Sequence, residues 1–108
     1  SIVEVLAALF ALPEPPTAFF SGNNRWSVQL LRGLKDRVRE LGFIGFDDFE
    51  LGDVISPGIT VIAQDPAAMG RIAADLLYRR IAGDTSPPQR IQLGTTLIER
   101  GSGEVSAR

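Results

Sequence analysis

Helical and extended apolar patterns alternate along this chain, and that alternation restricts its fold more than any other feature. Val3, Leu6, Ala7 and Phe10 recur at i, i+3, i+4 and i+7, one apolar helical face. "LPEPP" (Leu12 to Pro16) stops that helix because proline cannot continue it. The helix starts at Ser1 with almost no cap before it, which is expected of the tail of something longer. "TAFFSG" (Thr17 to Gly22) is a β-prone run closed by a breaker, so a strand ends near Ser21. Trp26, Leu30, Leu31, Leu34 and Val38 then restore the helical period, with charged and polar residues on the remaining faces. "LGFIGF" (Leu41 to Phe46) reads as a strand buried on both sides of a parallel sheet. After the turn-rich "ELGDVISPG", "ITVIA" (Ile59 to Ala63) is a third strand. Asp65 and Pro66 open a helix as N-cap and first-turn proline; Met69, Ile72, Ala73, Leu76 and Leu77 form its apolar face, and Gly83 ends it. "RIQLGTTLIER" (Arg90 to Arg100) reads as one extended strand broken at Gly94, and residues 101–108 as a flexible small-residue tail. The pattern predicts an α/β fold, a mostly parallel sheet with flanking helices and right-handed crossovers.

Residues 1–108 are expected to form a single domain or a piece of a larger one. With 44% hydrophobic and 22% charged residues, the composition is globular rather than disordered. Net charge is −2, from 11 Lys+Arg against 13 Asp+Glu, so these residues lack the basic excess that drives counterion release on DNA. Cysteine and histidine are both absent. That removes disulfides, thiol catalysis, histidine bases and ordinary zinc sites, so no catalytic residue, metal site or cofactor is assigned. No apolar run approaches the ~18 residues of a membrane span, and the expectation is a soluble protein of the cytoplasm with no membrane partner.

In open α/β sheets ligands bind beyond the carboxyl ends of the strands. Asn23 and Asn24 follow the first strand, Asp47 and Asp48 the second, Gln64 and Asp65 the third. Amides mixed with carboxylates suit a polar, polyhydroxylated ligand, since a carboxylate accepts hydroxyl protons and an amide both donates and accepts. Plainer roles stand beside this one. Asn23 and Asp65 are good helix caps, and the Asp47-Asp48 pair can start a turn with one carboxylate capping and the other solvated. Trp26 fits a core, or an indole stacked on a sugar from the first turn of a rim helix. Adjacent acids at a strand end can also hold magnesium in a small phosphotransfer domain. Such a site wants a phosphate partner, and Lys35, within a helix, is the only lysine.

"PPTAFFSGNNRWSVQLLRGL", "FIGFDDFELGDVISPGITVIAQDPAAMGRIAADLLYRRIAGD" and "TTLIERGS", in that order, resemble the carboxyl-terminal part of the lactose-repressor (LacI/GalR) family of bacterial transcription regulators. The resemblance implies one partial lobe of a periplasmic-binding-protein-like fold, with a small sugar-like effector in the cleft between two lobes. It implies a homodimer, to which these helices and the "DVISPG" loop contribute, and DNA binding only through a helix-turn-helix outside this chain. By position Asn23 resembles an asparagine that reaches the effector, Asp47 an aspartate that accepts effector protons, and Gln64 a cleft-lining residue. Asn24 stands where the family often has aspartate, and "RELGFIGF" is shorter than the usual connection. A periplasmic-type sugar-binding protein shares the fold; the "GFDD" and "ERGS" elements favour the regulator.

Overall fold

The computed structural model describes residues 1–105, which divide into two compact units. The first is Ser1–Ala63 joined by the described residues from Thr96 on, and the second runs from Gln64 to Thr95. The first contains α1 (Ile2–Phe10), β1 (Ala18–Ser21), α2 (Asn24–Leu34), a 3-10 turn (Lys35–Arg39), β2 (Gly42–Phe46), β3 (Thr60–Ala63) and β4 (Thr96–Ile98). The sheet order is β1-β2-β3-β4; β1, β2 and β3 run parallel, and β4 returns antiparallel to β3. The fold is therefore α/β with a mostly parallel sheet.

Ser1 is itself the cap of α1: its hydroxyl accepts the Glu4 amide and the Glu4 carboxylate reaches back to the Ser1 nitrogen, a reciprocal capping box. The buried face of α1 is Ile2, Leu6 and Phe10, while Val3, expected on it, is 65% exposed. Gly33 of α2 determines this, because a Cβ there would stand 2.5 Å from Leu6 Cδ1. A side chain at position 33 would make the Leu6 terminal methyl move, so the glycine lets Leu6 pack directly against α2.

Phe43, Ile59 and Val61 are fully buried and form the core with Leu6, Leu34 and Val38. Burial along β2 alternates, with Phe43 and Gly45 inside and Gly42, Ile44 and Phe46 half-buried, so the expectation of a strand buried on both faces is corrected. A Cβ at Gly45 would meet Ser27 Oγ of α2 at 2.7 Å, which identifies the covered face as the one toward α2. The last strand is also shorter than expected. It pairs only from Ala63↔Thr96 to Val61↔Ile98, and Arg100 instead donates its amide to the Thr60 hydroxyl.

The expected fraying of 101–108 does not hold for the residues just after β4. Ser102 is fully buried; its hydroxyl donates to the Phe43 carbonyl at 2.7 Å and accepts the Thr60 amide at 2.9 Å. Its own backbone accepts the Phe43 amide at 2.7 Å and donates to Gly58 at 3.1 Å. The segment thus joins the amino ends of β2 and β3. Residues 106–108 lie outside the described residues.

The second unit carries α3 (Pro66–Ile81), capped by Asp65, whose Oδ1 accepts the Ala68 amide at 2.9 Å. Gly83, at φ 102, ends it as the glycine pattern predicts. Ile72 and Leu76 are half-buried, but Met69, Ala73 and Leu77 of the expected apolar face are exposed.

Candidate functional site

Three parallel strands end at one edge of the first unit's sheet, with Ser21 beside Gly45 and Phe46 beside Ile62. Neighbouring strands lie about 4.8 Å apart, so residues just past the tips of β1 and β2 sit within reach of one small molecule.

Asn23 follows β1 and caps α2. Its Oδ1 accepts the Trp26 amide at 2.9 Å, and its carbonyl accepts the Ser27 amide at 3.0 Å and the Ser21 hydroxyl at 2.9 Å. Only the oxygen of the side-chain amide is used by the cap, which leaves Nδ2 as the part of Asn23 able to donate to a ligand. Trp26 is 56% exposed, whereas the adjacent Ser27 is fully buried over β2. The inward face of α2 therefore runs through Ser27, Leu30, Leu31 and Leu34, and the indole is excluded from it. Asn23, Arg25, Trp26 and Gln29 line an open groove of about 600 Å³ with Ser1 and Ile2 of α1.

Asp47 and Asp48, past the tip of β2, have different surroundings. Asp47 is half-buried, adopts φ 73, and donates its amide to the Ile62 carbonyl at 2.9 Å. A left-handed backbone is tolerated by aspartate better than by most residues, and it turns the chain sharply at the strand tip. Asp48 is held by the Arg100 guanidinium in a two-point contact, Nη1 to Oδ1 at 2.7 Å and Nη2 to Oδ2 at 2.8 Å. The Phe49 amide adds a bond to Oδ1 at 2.9 Å. The Arg100 hydrogen bond is the main cause holding the Asp48 carboxyl below the usual carboxylate range; partial burial works against it, and the Phe49 amide assists. The same pair raises Arg100.

That pairing weighs against the magnesium reading, because both oxygens of one acid are already taken by a cation within the chain. Arg100 and Gly52 are contributors that the strand-tip reasoning missed. A Cβ at Gly52 would meet Arg100 Nη1 at 2.8 Å and Asp48 Oδ1 at 3.2 Å, so only glycine leaves room for the pair. The available sequence signal was two adjacent acids with no local cation, which calls for a partner from elsewhere.

The geometry brings Asn23 and Trp26 into one groove and sets Asp47 at the neighbouring strand tip. Gln64 belongs to the second unit, where it is exposed and directly precedes the Asp65 cap.

Residues 2–103 match the model of a periplasmic binding protein-like domain. The ribose operon repressor of Escherichia coli (strain K12) is 34% identical over 103 residues, which are 92% of this chain and 31% of that protein. The HTH-type transcriptional regulator KdgR of Bacillus subtilis (strain 168) is 36% identical over 95 residues, 84% of this chain and 28% of that protein. The chain thus spans about a third of the length of these relatives. Among solved structures, a LacI family transcriptional regulator from Arthrobacter sp. FB24 in complex with lactose superposes with a TM-score of 0.76 at 28% identity, covering 95% of this chain and 40% of that one. The transcriptional regulator CelR in complex with cellobiose gives a TM-score of 0.78 at 30% identity over 95% of this chain and 33% of that one. A LacI family regulator from Enterococcus faecium with bound ribose shares the fold, with a TM-score of 0.81 at 24% identity over 98% of this chain and 40% of that one. The chain belongs to the periplasmic binding protein-like domain family, as a partial effector-binding domain of the LacI-type regulators.

Proposed function

We propose that this chain is the effector-sensing part of a LacI-type regulator and that it binds a small, polar, sugar-like ligand without reacting with it. Ligand binding shifts a two-state equilibrium of the full-length protein, and so its affinity for operator DNA, to the extent that the two states bind the ligand differently. The observation that carries this reading is the shared edge of β1 and β2, where the Asn23 amide and the Asp47 carboxylate follow adjacent parallel tips. The exposed Trp26 indole supplies a stacking surface in the same groove as Asn23. Relatives of LacI type with ribose, lactose and cellobiose bound support a sugar as the ligand class.

The full-length protein is proposed to be a cytoplasmic homodimer that reaches DNA through a helix-turn-helix outside these residues. Support for the dimer comes from an open apolar groove of about 310 Å³ lined by Val28, Leu31, Phe49, Leu51 and Ile55, with Val54 nearby in sequence 72% exposed. Calorimetric titration of the full-length protein with D-ribose, lactose and cellobiose tests the site. One of the sugars should bind, and Asp47→Asn should weaken it by about tenfold or more, the effect of removing a charged acceptor from a buried hydrogen bond. Magnesium-dependent phosphate uptake that Asp47→Asn abolishes would replace this reading with phosphotransfer.

A further inference from the structure

Arg100 follows β4, and its guanidinium reaches the segment just past β2. Besides gripping Asp48, its Nη1 approaches the Ile59 carbonyl at 3.3 Å, and its backbone amide donates to Thr60 Oγ1 at 3.1 Å. Asp48 lies just past the tip of β2, while Ile59 directly precedes β3 and Thr60 begins it. One side chain therefore links the exit of one strand to the entry of the next. Gly52 closes over the pair from the connecting segment, donating its amide to Phe49 at 3.0 Å and accepting the Ile59 amide at 2.7 Å. Next to this knot, Asp47 has a left-handed backbone, which costs a non-glycine residue some free energy even though aspartate tolerates it better than most.

We propose that Arg100 is a positioning residue for the effector site: through its two-point grip on Asp48 it locks the turn that keeps Asp47 left-handed and its carboxylate at the sheet edge. The proposal rests on the reading of Asp47 as an effector contact. Arg100 itself touches no effector; its planar fork matches the two carboxylate oxygens, a geometry that a lysine ammonium cannot reproduce. The three nitrogens of Arg100 that make these bonds are directed at Asp48, Ile59 and Thr60. The role differs from the capping-or-solvated alternatives read from the sequence, because it makes the second acid of "GFDD" a support for the first.

The test uses the full-length protein and two readouts. Hydrogen exchange on peptides covering Phe46 to Phe49 reports the Asp47 amide without any ligand, and calorimetry with D-ribose reports the site. Arg100→Gln should speed exchange at Asp47 and weaken ribose about tenfold, Arg100→Lys should fall between it and wild type, and Asp48→Asn should match Arg100→Gln. Combining Arg100→Gln with Asp48→Asn should add little to either single change, because both remove the same link. Exchange at Asp47 that stays at the wild-type rate in Arg100→Gln overturns the proposal whether or not ribose binds. Fully additive ribose losses overturn it too, since Arg100 would then act independently of Asp48. Asp47→Asn separates the two readings. Loss of ribose there, beside no loss in Arg100→Gln, defeats the positioning role alone, whereas unchanged affinity in Asp47→Asn removes the site reading and the positioning role with it.

Discussion

Two neighbouring aspartates at one strand tip differ in backbone and in partners. Asp47 turns the chain with a left-handed backbone and is the acid proposed to meet the ligand; Asp48 is bound to Arg100 and to the Phe49 amide. The Asp48 carboxyl is held below its usual range, so its share of stability is complete above the ordinary aspartate value of about 3.9 and is lost as pH falls through the lower folded value. Asp48 is 38% exposed at its side chain, so solvent screening limits that share to about 1 kcal/mol near neutrality. Thermal melts should therefore show Asp48→Asn less stable than wild type at pH 7, with the gap narrowing below about pH 4 as the wild-type carboxyl protonates. A gap that stays constant into acid would mean the Arg100 contact contributes no linked stability.

At the level of elements, the "ERGS" segment acts as a clip, since Ser102 satisfies buried backbone groups of both β2 and β3. Ser102→Ala would leave the Thr60 amide and the Phe43 carbonyl without that partner, a loss of about 1–3 kcal/mol that denaturant unfolding would register as a lower midpoint at unchanged slope. Little of this was legible in the sequence. Period and breakers located the helices and the parallel strands, because burial of one helix face or of a strand interior leaves a repeating apolar mark. The clip leaves none: Gly101, Ser102 and Gly103 are small residues, and small residues signal fraying and close packing alike. Trp26 shows a similar limit, since it satisfies the helical period of α2 while Ser27 takes the buried place against Gly45. Likewise the shortness of β4 cannot be read from "RIQLGTTLIER" itself. Of the candidate site, the order of the strand tips and the cap at Asn23 could be read from pattern and residue type, but the pairing of Asp48 depends on Arg100, 52 positions away in the chain.

For the whole molecule, the proposed reading is an edge that recognises a ligand without reacting with it, in a sequence that has no histidine or cysteine. On the proposed reading, a ligand bound there acts through a change in the affinity of the full-length protein for DNA. Coupling of this kind is typically about 5- to 150-fold. Operator affinity of the full-length protein, measured with and without a panel of pentoses, hexoses and disaccharides, tests the central claim most directly. At least one sugar should change that affinity within this range, and Asp47→Asn should abolish the change while leaving the sugar-free affinity intact. A panel that moves operator binding nowhere, or a response that persists undiminished in Asp47→Asn, would contradict it.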